Sequence, residues 1–177
     1  LLRTKKQKRI SSVTYSDAQF VDSAKNNLSS FNNSLANFND YETNYGGIYG
    51  LIDSSDSIML LQSDKVSRVP VSRQILSTAT GTSFVTQSTD VLGLQQHYQG
   101  NFGINEDRSA FLKADGDVYL VDVTRSKIVA ITPQGVSVIS DEGVDSWLRE
   151  RCDSMLEDPQ GCFVSIGQDK DNDEIIF

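Results

Sequence analysis

The sequence predicts a mainly β protein of antiparallel meanders and hairpins, arranged as propeller-like blades. Three observations carry that expectation. The first is the stretch 115–140, where Val118, Leu120 and Val121, then Ile128, Val129 and Ile131, then Val136, Val138 and Ile139 form three short apolar runs. They are separated by the polar corner Thr124-Arg125-Ser126 and by Pro133-Gln134-Gly135. Short β-branched runs bounded by turn residues read as strands of a meander. The second is recurrence. Ile58, Leu60 and Leu61 match Val118, Leu120 and Val121, and Lys65-Val66 with Val69 matches Lys127-Ile128 with Ile131. A third hairpin is predicted from Phe163-Val164-Ser165-Ile166 across an acidic turn to Ile175-Ile176-Phe177. The hairpins begin at 58, 118 and 163, spacings that suit blades of roughly 40–45 residues with insertions. The third is size and composition: 177 residues, 38% hydrophobic and 23% charged, enough for one substantial core. A closed propeller takes at least about four blades, so the sequence reads as part of a larger one.

Two divisions are expected along the chain, 1–44 and 45–177. The first opens with Leu1-Leu2-Arg3-Thr4-Lys5-Lys6-Gln7-Lys8-Arg9 and is rich in Asn and Ser from residue 11 onward. Phe20, Leu28, Phe31, Leu35 and Phe38 recur at near-helical spacings, which fits a helix around 24–37. Asn and Ser disfavour helix interiors, so an irregular segment pinned by its aromatics onto a sheet fits equally well. Tyr45-Gly46-Gly47-Ile48-Tyr49-Gly50 marks a sharp corner. Beyond it Ile58-Met59-Leu60-Leu61-Gln62 is a strand, Ser63-Asp64-Lys65 a turn, and 66–71 a partner strand that Pro70 ends early or holds at an edge. Residues 71–109 read as a long ordered connection. A short helix is predicted over 144–155, around Trp147, Leu148 and Met155, with Pro159 and Gly161 beyond its end. The chain opens without Met and ends inside a predicted strand, so it reads as a piece of a longer polypeptide.

Charge and motifs narrow the function. Net charge is −8, and five of the sixteen cations lie in the first nine residues with no acid among them. The rest of the chain is therefore strongly acidic, which argues against nucleic-acid binding as the main role. No run approaches the roughly 20 apolar residues of a membrane span. Cys152 and Cys162 are too few for a zinc site; they read as two unrelated thiols in a reducing cytoplasm, or as a pair closing a small loop in an oxidising compartment. His97 is the single histidine, and with Ser and Asp abundant a serine–histidine–acid set cannot be assigned from sequence. Asp169, Asp171 and Asp173 alternate like the start of a calcium loop, but Glu174 stands where the loop needs Gly. An acidic hairpin tip accounts for them without a metal. No phosphate loop, nucleophile elbow or assignable carboxylate pair is present. No catalytic residue, metal or cofactor is expected.

Several phrases occur in an order that resembles a known family. They are Tyr45-Gly46-Gly47-Ile48, then Asp64-Lys65-Val66-Ser67-Arg68-Val69-Pro70-Val71-Ser72-Arg73, then Val91-Leu92-Gly93. Tyr98-Gln99-Gly100-Asn101-Phe102-Gly103-Ile104-Asn105 follows, with Arg108-Ser109. Val118-Tyr119-Leu120-Val121-Asp122-Val123-Thr124-Arg125-Ser126-Lys127-Ile128-Val129 and Gly135-Val136-Ser137-Val138-Ile139-Ser140 complete the set. Together they resemble the tail-associated muzzle or stabilisation-type structural proteins of tailed bacteriophages, notably crAss-like phages, across most of 45–177. The chain departs from the family phrase at Ser126, where Gly is commoner.

That resemblance implies a non-enzymatic virion component with propeller-like β structure. It would be assembled in the bacterial host cytoplasm, present in several copies around the tail, and partnered by other virion and tail proteins. Two other readings stand beside it. One is a carbohydrate-binding β domain, for which Tyr98, Phe102, Tyr119 and Trp147 are the candidate contact aromatics. The other is a generic propeller interaction module.

Overall fold

The computed structural model describes residues 8–17, 28–31, 37–72, 74–77, 83–86, 91–158 and 162–177. Two four-stranded antiparallel sheets form its centre. The first contains β3 (Ile48–Ser54), β4 (Ser57–Gln62), β5 (Val66–Pro70) and β8 (Gln96–His97), in that order. Two other strands, β6 (Gln74–Ser77) and β7 (Ser83–Thr86), form a separate hairpin between β5 and β8. The second sheet is an uninterrupted meander of β9 (Phe111–Ala114), β10 (Asp117–Asp122), β11 (Lys127–Thr132) and β12 (Gly135–Val138). Before the first sheet, β1 (Ser12–Thr14) pairs with β2 (Phe38–Asp40). After the second come one helix, α1 (Asp145–Glu157), and the hairpin of β13 (Gly167–Asp169) and β14 (Glu174–Ile176). The fold is thus mainly antiparallel β with one described helix.

These elements stack as layers, and the side-chain alternation of the strands explains why. Along a strand, neighbours point to opposite faces. Met59 and Leu61 join Val66 in the cluster between the sheets, where Val118, Leu120, Val129 and Ile131 meet them from the second sheet. Leu60 and Val69 turn the other way and pack with Val13 and Tyr41 of the β1–β2 layer and with Leu92. Val121 and Ile128 turn outward from the second sheet onto Leu148 and Cys152 of α1 and onto Ile166. Central strands buried on both faces carry near-continuous apolar runs, which is how β4, β10 and β11 read.

Backbone geometry settles the turns. Asp115 and Gly116 both have positive φ (52° and 94°), so an Asp-Gly pair closes the β9–β10 hairpin with the twist such hairpins favour. Ser126 sits at φ 52° after β10, in the left-handed region where glycine is least strained.

The predicted meander and the 58–71 hairpin form as expected, with β5 ending at Pro70. The third hairpin is displaced. Residues 163–166 are not strand, and the pairing begins at Gly167 opposite Ile176. Val164 and Ile166 instead contribute to the core layers while the ladder forms in the polar stretch after them. The 71–109 connection contains strands of its own, β6, β7 and β8. The sharp corner is confined to the short 3-10 turn Thr43–Tyr45 and Gly46 (φ 79°), and β3 has begun by Ile48. The helix starts and ends within about two residues of its predicted bounds. Most of the proposed 24–37 helix lies outside the described residues.

Candidate functional site

The two ends of the sheet pair differ in construction. At one end the turn after β4 meets the turn after β10. Asp122, the last residue of β10, is fully buried. Its carboxylate accepts from the Gly103 amide (3.0 Å), the Arg125 amide (3.0 Å) and Arg125 Nη1 (2.9 Å). Arg125 Nη2 reaches on to Asp64 Oδ1 (3.2 Å), across to the first sheet. Partial burial would lower the Arg125 guanidinium, but Asp122 and then Asp64 hold it above its ordinary value. Gly103 lies against the Ser63 carbonyl so closely that a Cβ would collide with it and stand 2.6 Å from the Asp64 nitrogen. Next to it the Ile104 and Asn105 amides bond the carbonyls of Gln62 and Ser63 (3.1 and 3.0 Å). Lys65 is buried and donates to the Gly100 carbonyl (2.6 Å) and Asn101 Oδ1 (3.1 Å).

At the other end the hairpin tips leave an open groove of about 480 Å³. Tyr98, Met59, Val118 and Ile131 are among its apolar lining residues, with Asp53, Asp56, Arg68, His97, Lys113 and Gln134 among its polar ones. Its cations are already engaged: Arg68 bonds Asp56 (2.7 Å) and Ser57 Oγ (2.9 Å), and Lys113 caps the Asp53 carbonyl.

Beside this groove the fold brings together a serine, the histidine and an acid. Ser67 Oγ and His97 Nδ1 are 2.9 Å apart, and His97 Nε2 stands 3.3 Å from Glu42 Oε1. The order resembles a nucleophilic triad. Its surroundings are those of a staple. Ser67 is fully buried, and its hydroxyl also accepts from Gln95 Nε2 (3.0 Å). Gln95 continues to Gln62 Oε1 (2.7 Å), and Gln62 Nε2 donates to the Glu42 carbonyl (2.8 Å), closing a polar ring. That ring ties the 41–47 corner to the first sheet. A buried hydroxyl cannot meet a substrate carbonyl, so the geometry is one of attachment. No spacing in the sequence distinguishes these three residues from the many other serines and acids.

The aromatics singled out from sequence are dispersed. Tyr98 and Phe102 both pack on the cluster between the sheets, and Tyr98 also lines the open groove. Tyr119 is half-buried opposite Ala130 and Leu112. Trp147 is on α1, 58% exposed, with the Arg151 guanidinium 5.8 Å from its ring centre. Phe163, Ile176 and Phe177 are exposed in the same last layer.

The acidic tip is internally satisfied. Asp169 accepts from the amides of Asp171 (2.9 Å) and Asn172 (3.3 Å) and from Asn172 Nδ2 (2.8 Å). The Asn172 side chain and these amides hold the Asp169 carboxyl below its usual range. Among the described residues no group of three His, Cys, Asp or Glu could hold a metal ion. Cys152 is buried and Cys162 exposed, both as free thiols. Burial pushes the Cys152 thiol up. Among the described residues no helix is long and apolar enough to cross a membrane.

Polar bonds also anchor the last layer, among them one from Gln168 Nε2 to Asp115 Oδ2 (2.7 Å). Lys127 bridges Asp141 and Asp145 (2.5 and 2.7 Å), fixing the start of α1 to β11. Asp107 accepts from the Val164 amide (3.0 Å) and from Ser109.

Compared with known proteins, the chain matches the family model described as Crassvirus muzzle protein over residues 9–177. No curated protein matches it.

Proposed function

This chain belongs to the Crassvirus muzzle protein family, and from that premise we propose that it is a non-enzymatic structural element of the phage virion, seated at the tail and assembling through protein–protein contacts. The family match across 9–177 carries the reading. Two features of the chain support it. Its polar clusters, at Asp122 and at Ser67, are built to hold layers together. Its C-terminal part, from α1 onward, leaves Trp147, Phe163, Ile176 and Phe177 exposed, residues of the kind that protein contacts cover. The two four-stranded sheets then act as consecutive blades of a larger propeller. Assembly takes place in the host cytoplasm with other tail proteins and with further copies of the chain, and neither nucleic acid nor membrane is its main partner.

Quantitative mass spectrometry of purified virions and of their tail fraction tests this. A fixed ratio to the other tail proteins is expected. Abundance in infected cells with absence from purified virions would overturn it.

The carbohydrate-binding reading draws on one observation, Tyr98 in the open groove beside Asp53, Asp56 and Gln134. Silence on a glycan array of bacterial surface sugars would remove it.

A further inference from the structure

A second groove, of about 600 Å³, runs between β1 and the outer edge of β3. Its lining includes Lys8, Arg9 and Arg108 and contains no acid, in a chain whose net charge is −8. Arg9 is neutralised by Asp40 (2.7 Å) and lies over the Phe38 ring (4.5 Å). Lys8 and Arg108 have no carboxylate partner among the described residues. Two acids stand beside the groove: Asp40, engaged by Arg9 and Ser12, and Glu106, which hydrogen-bonds Tyr49.

The wall of this groove is an unpaired strand edge. Among the described residues β3 pairs only with β4. On its other side, the Ile48 amide bonds the Ile10 carbonyl (2.9 Å), and beyond that point β1 and β3 diverge. Ser54 pairs with Ser57 across a two-residue loop, so in the alternation of an antiparallel ladder Leu51 and Asp53 turn their backbone groups outward. Lys113 covers the Asp53 carbonyl, and Leu51 is half exposed among the described residues. Native edges are usually blunted by Lys, Pro or a covering element. This edge has no Lys or Pro of its own. An extended segment laid along such an edge gains ladder hydrogen bonds and keeps its alternate side chains free for specificity.

We infer that the β1–β3 groove receives an extended acidic segment of a partner polypeptide, which adds as a strand to β3 and places its carboxylates against Lys8 and Arg108. The inference rests on the assembly reading above and names the surface and the partner chemistry it would use.

The test uses the full chain and fluorescein-labelled peptides of about eight residues alternating Glu with Val or Thr, followed by anisotropy. Saturable binding is expected, weakened at least tenfold by Arg108→Glu, by 300 mM salt, and by N-methylation of alternate peptide amides. The Leu51 amide should exchange more slowly in the complex. Equal binding of a Lys-for-Glu peptide, indifference to N-methylation, or no saturation at millimolar peptide would each overturn the proposal. So would tighter binding of a single-stranded oligonucleotide, which would make the groove a phosphate site. Failure here with the protein still present in virions would reject this groove alone. Absence from virions would reject the assembly reading itself.

Discussion

Where the turns after β4 and β10 meet, the two sheets are held by one buried carboxylate, a glycine without room for a Cβ, and a guanidinium shared between sheets. At the opposite end the same two sheets part into a groove of about 480 Å³, where Arg68 bonds Asp56 within the first sheet and an exposed bond runs from Lys113 of β9 across to the Asp53 carbonyl of β3. The apolar cluster between them runs toward both ends, so burial of Leu61, Leu120 and Val129 does not distinguish them. Polar geometry does. At the closed end the cross-sheet polar bonds centre on a buried carboxylate, and at the open end the cross-sheet bond from Lys113 is exposed.

The largest expected effect comes from breaking the closed end at its centre. Asp122→Ala removes the acceptor for three hydrogen bonds and leaves Arg125 half-partnered. A loss of about 3 kcal/mol is expected in chemical denaturation, in line with removal of one partner of a buried pair. Next is Gly103→Ala, which drives a methyl into the Ser63 backbone and should cost about 2 kcal/mol by overpacking. A wild-type midpoint for either variant would show that the joint is not what sets the sheet pair.

The third effect concerns the last layer and depends on pH. Burial alone would raise the Asp107 carboxyl, but the Ser109 hydroxyl and the Val164 and Ser109 amides hold it below its ordinary value of 3.8. A carboxyl depressed in the folded state adds stability above its unfolded value, and that contribution is lost as pH falls through the folded value. Wild-type protein should therefore lose stability below about pH 4, and Asp107→Asn should show a flatter acid limb. Identical acid limbs would contradict the tie to Val164. The smallest effect belongs to the open end. Gln134→Ala should change stability by no more than about 0.5 kcal/mol. A larger loss there would erase the contrast between the ends.

The legible parts of this fold are those where hydrophobic burial alone decides. The β10–β11–β12 meander and the β4–β5 hairpin read directly because both faces of their central strands are buried. Where local polar bonding decides, the sequence misleads. Phe163 to Ile166 resemble a strand, yet the ladder starts at Gly167 because Asp169 and Asn172 build the turn that sets its register. The closed end was invisible, since nothing distinguishes Asp122 from the other acids until Gly103 and Arg125 are brought beside it. The Ser67, His97 and Glu42 ring was hidden the same way, its members 25 to 55 residues apart in sequence. Some of the phrases that carry the family resemblance include these joints, at Asp64, Gly103 and Asp122, and others, such as Val91-Leu92-Gly93 and Gly135 to Ser140, do not.

In the proposed role these stacked sheets form part of the virion tail, with the exposed Trp147, Phe163 and Phe177 covered by protein. A single-particle reconstruction of the intact virion tests it most directly. The account predicts tail density that fits the β3–β12 sheet pair, with another polypeptide against that last layer. Density for the chain away from the tail, or a last layer facing solvent in every copy, would contradict it.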